Sequence, residues 1–179
     1  LAGLRGNLGQ KVGYNLEAKW TRFNNEYFFI NTITQYTPSL TPNGPRNKFN
    51  VVYDNGDVIH LKGEITYTLD SKFNTWLAAN YNIYTLNSLI NPYHKTITEA
   101  KLGASYRFVS KVDFWTELYY TGKRYALNPQ GLVPTEVTLE PFFDVNVGVD
   151  YQLKENFGVF LKLTNLLNWN YEYYYQYPV

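Results

Sequence analysis

The chain has 179 residues, no cysteine and a formal net charge of +1 at pH 7. The absence of cysteine excludes disulfides and thiolate metal sites, and the balanced charge, with no basic cluster, argues against a nucleic-acid-binding protein. The aromatic content is high at 18%, with 18 tyrosines, and rings that carry a polar tip are favoured where lipid meets water.

The most regular feature of the chain is alternation of apolar and polar residues at a period of two, which predicts β-strands with two unlike faces. It is unbroken over residues 143–153, and no apolar run approaches the roughly 20 residues of a membrane-spanning helix. A spanning β-strand needs only about ten alternating residues, so a membrane protein is not excluded. In chain order the predicted strands are 1–8, 14–31, 49–69, 73–85, 102–108, 114–121, 143–153 and 159–163.

The predicted connections alternate strictly between short turns and long loops. The turns lie near residues 10, 71, 110 and 155, and the loops cover 32–48, 86–98 and 122–141. Three of the turns share a weak repeat, in which Tyr67, Tyr106 and Tyr151 each precede another apolar residue by two positions and then a polar turn. This periodicity predicts one hairpin that is repeated along the chain.

Residues 54–57 interrupt the third predicted strand with the sequence Asp-Asn-Gly-Asp, which is suited to a tight hairpin turn. The apolar residues Phe49, Val51 and Tyr53 nevertheless keep the parity of Ile59 and of the residues that follow it. We therefore favour one long strand with a bulge or kink near Gly56, with the hairpin turn as the alternative.

A soluble β-sandwich also alternates, but it has no reason to collect short turns at one end and long loops at the other. Outer-membrane barrels do so, and they carry aromatic girdles of the kind that the tyrosines beside the short turns would form. The polar face also carries many charges, as expected of a wide aqueous lumen: Glu17, Lys19, Lys62, Glu64, Lys101, Arg107, Glu117, Asp144 and Lys162.

Eight strands could close alone, yet an eight-stranded barrel has an interior that ordinary side chains already fill. The inward set here also includes bulky rings, namely Trp76, Tyr84, Trp115 and Tyr119. We therefore predict an all-β fold, an antiparallel transmembrane β-barrel of about eight up-and-down strands that form an arc of a larger barrel.

No constellation for catalysis, metal binding or phosphate binding is visible in the sequence. The histidines His60 and His94 lie on different elements, and we expect His60 to be a polar residue of the lumen and His94 a loop residue. The acids Asp144 and Asp150 are expected to line the solvated wall. We predict a protein that is not an enzyme and that needs no cofactor.

The C-terminal third carries the motif Asn165-Leu166-x-Asn168-x-x-Tyr171, which follows the strand at 159–163. This stretch resembles the end of TonB-dependent outer-membrane receptors, particularly those of Bacteroidetes-type bacteria. Pieces at 60–64, 93–95 and 122–127 resemble the same group.

The resemblance implies that residues 1–179 are a single segment of a barrel domain, the C-terminal arc of about 22 strands. The plug domain, the last strand and a TonB-box segment are not in this sequence. It further implies a location in the bacterial outer membrane and a role in TonB-dependent uptake of a scarce solute, such as a siderophore, glycan, vitamin or peptide. The expected partners are outer-membrane lipid, the remainder of the barrel and plug, the TonB complex through the missing N-terminal part, and a small-molecule or oligomeric ligand.

Residues placed in the outer loops are the candidates for contacting that ligand, since aromatic rings can stack on a sugar or an aromatic chelator. The candidates are Tyr93, His94, Arg124, Tyr125, Trp169, Tyr171 and Tyr174. The alternative function is a free-standing small outer-membrane barrel with a structural or adhesive role. A barrel-embedded hydrolase is disfavoured because the catalytic set is missing.

Overall fold

The computed structural model describes residues 1–32, 48–128 and 134–178, and the regular structure found there is entirely β. No helix in these ranges is long and apolar enough to cross a membrane. The strands are β1 (Ala2–Leu8), β2 (Val12–Thr32), β3 (Lys48–Thr68), β4 (Phe73–Leu86), β5 (Thr98–Val109), β6 (Val112–Thr121), β7 (Arg124–Asn128), β8 (Thr135–Leu139), β9 (Phe142–Lys154), β10 (Phe157–Leu163), β11 (Glu172–Tyr174) and β12 (Tyr177–Pro178).

Eight strands form one antiparallel sheet in the order β1-β2-β3-β4-β5-β6-β9-β10. The predicted up-and-down arrangement of eight strands is confirmed. Within the described residues β1 and β10 each have a single neighbour and do not pair with each other, so the sheet is open. It therefore has two free edges, as a partial barrel does.

The register of the sheet sorts the alternating side chains onto two faces. One cross-strand row joins Leu4, Leu16, Gly63, Ala79, Ala100, Tyr120 and Phe143, and the face that it belongs to is called the apolar face below. The adjacent row joins Glu17, Lys62, Asn80, Glu99, Thr121 and Phe142, and it belongs to the polar face. The predicted division into two unlike faces is confirmed.

Among the described residues, no layer of side chains covers the apolar face. Leu4 and Leu161 are 60% and 62% exposed, and many other apolar side chains of this face are exposed as well. The buried apolar residues among those described are few and are Phe28, Val58, Tyr93, Ala126, Leu139 and Phe142. A soluble sandwich buries the apolar face of each sheet, so this distribution excludes that architecture and matches a wall that faces lipid.

The irregularity predicted near Gly56 is present, but the extra residue lies on the partner strand. β3 is continuous through residues 54–57, which confirms the single long strand. On β2, Asn24 and Asn25 together oppose Asn55, and Asn25 has a left-handed φ of 57°. Gly56 is required for another reason: a Cβ there would lie 2.2 Å from the carbonyl oxygen of Thr85.

The short connections of the main sheet are two- to four-residue turns near residues 10, 71, 110 and 155, as predicted. At this end Phe73, Tyr106 and Phe114 face each other across β4, β5 and β6 on the apolar face, with Tyr67 and Tyr151 on the same face of β3 and β9. This is the position of the predicted aromatic girdle.

The prediction of a long loop over 122–141 was wrong for its described part, which contains the hairpin β7–β8. Residues 172–178 include Tyr174, which was placed in the outer loops, and they form the small hairpin β11–β12. These strands are two to five residues long, too short for an alternating pattern to stand out from the sequence around it. The predicted loop at 32–48 lies largely outside the described residues.

Candidate ligand-binding site at the long-loop end

The described parts of the long connections pack together over one end of the sheet. We call this group the loop layer; it comprises residues 86–97, the hairpin β7–β8 and residues 171–178. All but Val58 of the buried apolar side chains lie in the loop layer or on the strand ends beneath it, at Phe28 and Phe142. The long-loop end is therefore the packed part of the molecule and the one that carries most candidate site residues.

Asp54 on β3 ties residues 86–97 to the sheet. Its carboxylate accepts hydrogen bonds from the backbone N–H of Ser88 and Leu89, both at 2.9 Å, and from that of Asn55 at 2.8 Å. Burial alone would raise the pKa of Asp54, but these N–H donors outweigh it and hold the pKa below its usual value. Asp54 is thus an ionised anchor, and the sequence analysis did not single it out.

A second tie joins the same segment to β8. The hydroxyl of Tyr93 and the side-chain amide of Asn91 each donate to the carboxylate of Glu136, both at 2.8 Å. The pKa of Tyr93 is raised, first by burial and then by this contact with a carboxylate. Tyr93 is 4% exposed, so its role in the structure is to join two parts of the loop layer.

A third tie runs from Lys95 to the outer end of β2. The ammonium lies 2.7 Å from the carboxylate of Glu26 and 4.5 Å from the ring centroid of Tyr27. Ion pairs at partly exposed positions contribute little by themselves. Here the pair is the third attachment of residues 86–97, after those made by Asp54 and Tyr93.

His94 is the point where most parts of the loop layer meet. Its backbone N–H donates to the carbonyl of Tyr125 at 2.8 Å, and its Nε2 lies 3.0 Å from Oδ1 of Asn31, so Nε2 carries the proton. Its ring lies 5.3 Å from that of Phe49 and 5.5 Å from that of Tyr174. Burial, and then the charge of Arg124, lower the pKa of His94 to about 4, which keeps the ring neutral.

Arg124 is fully buried and has no carboxylate partner among the described residues. Its guanidinium donates to the carbonyls of Gly122 at 3.1 Å and Glu172 at 2.6 Å, and it lies 5.1 Å from the ring of Phe142. Carbonyl dipoles and the ring face replace a counter-ion. Burial lowers the pKa of Arg124, and Tyr173 partly offsets that effect.

Residues 169–171 pass the end of the sheet at Phe142 and Phe143, the first two residues of β9. Phe142, on the polar face, stacks on Tyr171 with ring centroids 3.7 Å apart. Phe143, on the apolar face, contacts Trp169 at 6.3 Å and Tyr120 at 4.9 Å. The structure therefore places Tyr171 and Trp169 on opposite sides of the sheet, although they are two residues apart.

The predicted candidates divide into three groups. Tyr93, His94 and Arg124 are buried and hold the loop layer together, while Tyr125 contributes a backbone carbonyl to His94. Tyr171 is half-buried, and Tyr174 is exposed beside His94. Trp169 lies apart from the other candidates on the apolar face. Ligand binding by these residues stays a prediction.

Sequence reasoning missed Phe49, a half-buried residue whose ring lies 5.1 Å from that of Tyr177 and 5.8 Å from that of Tyr174. Tyr174 and Tyr177 are exposed and belong to the tyrosine-rich C-terminal stretch, to which the sequence itself draws attention. Phe49 could not be found from the sequence, because its contact with this stretch depends on tertiary structure.

No group of three or more His, Cys, Asp or Glu side chains in the described residues could hold a metal ion. His60 lies on the polar face, paired with Lys19 and Asn82 and hydrogen-bonded to Asn82 at 2.7 Å. The chemistry that the site offers is aromatic stacking and hydrogen bonding from tyrosine hydroxyls.

No protein-family model and no curated protein sequence matches the chain. Solved structures do. The copper transporter OprC superposes with a TM-score of 0.71 at 12% identity, over 95% of this chain and 26% of its own. The pyoverdine outer membrane receptor FpvA from Pseudomonas aeruginosa PAO1, bound to pyoverdine, superposes with a TM-score of 0.67 at 16% identity, over 96% and 25%.

The fold is that of an outer-membrane receptor barrel. The ferripyoverdine receptor of the outer membrane of Pseudomonas aeruginosa, bound to ferripyoverdine, gives the same result, with a TM-score of 0.66 at 16% identity over 94% and 23% of the two chains. The chain spans about a quarter of the length of these structures. At such identities the receptor-barrel likeness establishes fold and not activity.

Proposed function

We propose that this chain forms the C-terminal part of the wall of an outer-membrane receptor that takes up a scarce solute by TonB-dependent transport. The observation that carries the proposal is the likeness of at least 94% of the chain to about a quarter of the barrel structures OprC and FpvA. An open sheet with an uncovered apolar face and a charged polar face is what one arc of such a barrel requires.

In this proposal the apolar face, the two edges and the polar face of the sheet each have a different partner. Lipid covers the apolar face, neighbouring strands of the same barrel pair with the edges at β1 and β10, and a plug domain lies against the polar face. The TonB complex acts through the N-terminal part of the whole protein. A protein built in this way is a transporter and has no need of catalysis.

The loop layer supplies part of the rim that binds the solute. The aromatic cluster of Phe49, Tyr174 and Tyr177, of which the two tyrosines are exposed, is the surface on which a ring-containing ligand can stack. Tyr93, His94, Arg124 and Tyr125 contribute by holding this surface in place. OprC and FpvA are named for copper and for pyoverdine, so the shared fold leaves the solute of this chain open.

The free-standing small barrel is the competing hypothesis, and the intact mass of the native polypeptide from purified outer membranes decides between the two. A mass several times the 20.9 kDa of this chain is expected for the receptor. A mass that matches these residues plus at most one strand would contradict it and leave the small barrel. Absence of the polypeptide from the outer membrane would contradict both.

The aromatic cluster is tested separately in a strain that lacks the receptor, under the solute limitation that slows its growth. Tyr174→Ala in the intact receptor is expected to restore growth less well than the wild type at equal abundance in the membrane. Tyr106→Ala is the matched control, because Tyr106 is an equally exposed tyrosine at the short-turn end. Full restoration by Tyr174→Ala would remove this residue from the proposed site.

A further inference from the structure

The turn at residues 165–168, which we call the Asn turn, is hydrogen-bonded to β9. Asn165 and Asn168 have left-handed φ angles of 53° and 43°, a conformation that asparagine tolerates better than most residues. The N–H of Asn168 donates to the carbonyl of Asn165 at 3.0 Å. Two further bonds fix the turn to the sheet, from Asn165 N–H to Oδ1 of Asn146 and from Leu166 N–H to the carbonyl of Val145.

Three apolar side chains of the Asn turn and the residue after it are exposed. Leu166, Leu167 and Trp169 are 47%, 49% and 46% exposed. The surroundings of Trp169 are not those of a ligand pocket, because Trp169 packs on Phe143 and Phe143 on Tyr120, both on the apolar face. The ring of Trp169 thus extends the apolar face beyond Phe143, at the beginning of β9.

Tyr171, two residues after Trp169, lies on the opposite side of the sheet from the apolar face. Tyr171 stacks on Phe142, and Phe142 lies beside the guanidinium of Arg124 within the loop layer. Because consecutive residues of a strand point to opposite faces, Phe142 and Phe143 hold Tyr171 and Trp169 on the two sides of the wall.

We propose that the Asn turn is a lipid anchor, which inserts Trp169, with Leu166 and Leu167, into the interfacial region of the outer leaflet. An indole ring with one polar N–H is suited to that region, and the leucines add buried apolar area. The surface is continuous with the apolar face, and this continuity assigns it to lipid rather than to a bound solute. The proposal rests on the membrane location proposed above, and it removes Trp169 from the ligand-binding candidates.

Photocrosslinking in living cells tests the anchor on the intact protein. p-Benzoylphenylalanine is introduced at position 169, and in separate variants at Leu102 and Tyr174. Leu102 is an exposed residue in the middle of the apolar face, and Tyr174 belongs to the aromatic cluster of the loop layer. The expected result is a lipid adduct from positions 169 and 102 and none from 174.

The outcomes separate the anchor from the membrane location. A lipid adduct at 102 without one at 169 would overturn the anchor and leave the proposed function standing. A protein adduct at 169 would overturn it in favour of a partner polypeptide. If position 102 gives no lipid adduct, the membrane location fails, and the anchor fails with it.

A second variant tests whether the turn positions the ring. Asn146→Ala removes the acceptor of the Asn165 N–H without touching Trp169. The adduct yield at 169 is expected to fall severalfold, while the yield at 102 stays the same. An unchanged yield at 169 would show that the Asn turn does not position Trp169.

Discussion

Residues of the loop layer illustrate how buried charge and polarity are accommodated without a large apolar core. Asp54 is ionised because backbone N–H groups surround it, and His94 is neutral because it is buried beside a cation. Alternation in the sequence could assign Asp54 to the polar face. It could not reveal that Ser88 and Leu89 approach that carboxylate, because the contact depends on how a long connection folds back.

His94 predicts a pH dependence of the loop layer. Its pKa in the folded protein is about 4, below the ordinary value of 6.5, so the unfolded form takes up more protons between these values. The stabilisation by neutral His94 is complete above pH 6.5 and is lost as the pH falls towards 4, a difference of roughly 3 kcal/mol. Hydrogen exchange of residues 86–97, corrected for the intrinsic pH effect, should show progressive opening over this range.

The matched variant for this prediction is His94→Gln, whose amide can still donate to Asn31 but does not titrate. Protection of residues 86–97 in this variant should vary less between pH 6.5 and 4 than in the wild type. Equal pH profiles for the two proteins would show that His94 does not control the opening.

Asp54 carries the second prediction at this scale. Asp54→Ala leaves the N–H groups of Ser88 and Leu89 without their acceptor, which should destabilise residues 86–97 by about 1–3 kcal/mol. Hydrogen exchange at those two amides measures the loss. Asp57→Ala is the control, because the side-chain contact described for Asp57 is an ion pair with the exposed Arg22, and its removal should cost less than about 1 kcal/mol. Similar effects of the two substitutions would contradict the anchoring role.

Strands of the sheet are held together on the polar face by indole rings that lie over glycines. A Cβ built on Gly103 would lie 2.4 Å from the ring of Trp76, and one on Gly148 would lie 2.2 Å from the ring of Trp115. In both cases the ring comes from the cross-strand partner of the glycine. The bulky rings of Trp76 and Trp115, which would crowd the interior of a small closed barrel, thus form inter-strand contacts in this open sheet.

Gly148→Val should therefore destabilise the sheet, because the valine and the indole of Trp115 cannot occupy the same space. The expected cost is about 1–3 kcal/mol, measured as a shift of the urea midpoint of the intact protein in micelles. Gly63→Ala is the control, since the nearest atom to its Cβ would be at an ordinary 3.5 Å. If Trp115 is the cause, Trp115→Ala added to Gly148→Val should restore part of the lost stability.

Elements differ in how well the sequence predicts them. The long strands carry enough alternating residues to fix both their positions and their faces, and the predicted bounds of β3, β4 and β9 agree with the structure to within two residues. The position of the bulge was predicted only through Gly56, because a bulge is a property of two strands and the extra residue belongs to β2. β7–β8 and β11–β12 depend on contacts within the loop layer, which periodicity does not report.

At the scale of the whole molecule, the described part of the sheet leaves its apolar face exposed and gives its edge strands, β1 and β10, only one neighbour each. In the proposed membrane location, lipid covers that face and further strands pair with those edges. Sequence pattern was sufficient to predict this architecture. The sequence pattern could not predict how the candidate site residues are arranged. Trp169 and Tyr171 are only two residues apart in the chain, yet they contact opposite faces of the sheet at the start of β9.

Arginine substitutions test the lipid-facing assignment at this scale. Leu61, Ile65, Val147 and Leu161 are on the apolar face, and arginine at midplane positions of a lipid-facing wall should cost about 2–4 kcal/mol. The free energy of unfolding in lipid vesicles measures this cost. Glu64→Arg, next to Ile65 but on the polar face, is the control and should be tolerated. Tolerance at all four apolar positions would point to a soluble sheet or a different register.

The long-range contacts of residues 171–178 have a consequence for biogenesis. Tyr177 packs on Phe49 of β3, and the carbonyl of Glu172 accepts from Arg124, so these contacts join parts of the chain that are far apart in sequence. Neighbouring strands can pair through local hairpins, but His94 and Phe49 lack their tyrosine neighbours until residues 174–177 pack on them. The loop layer is therefore expected to form after the sheet beneath it, and a chain stalled before residue 171 would present an assembled sheet with an incomplete loop layer.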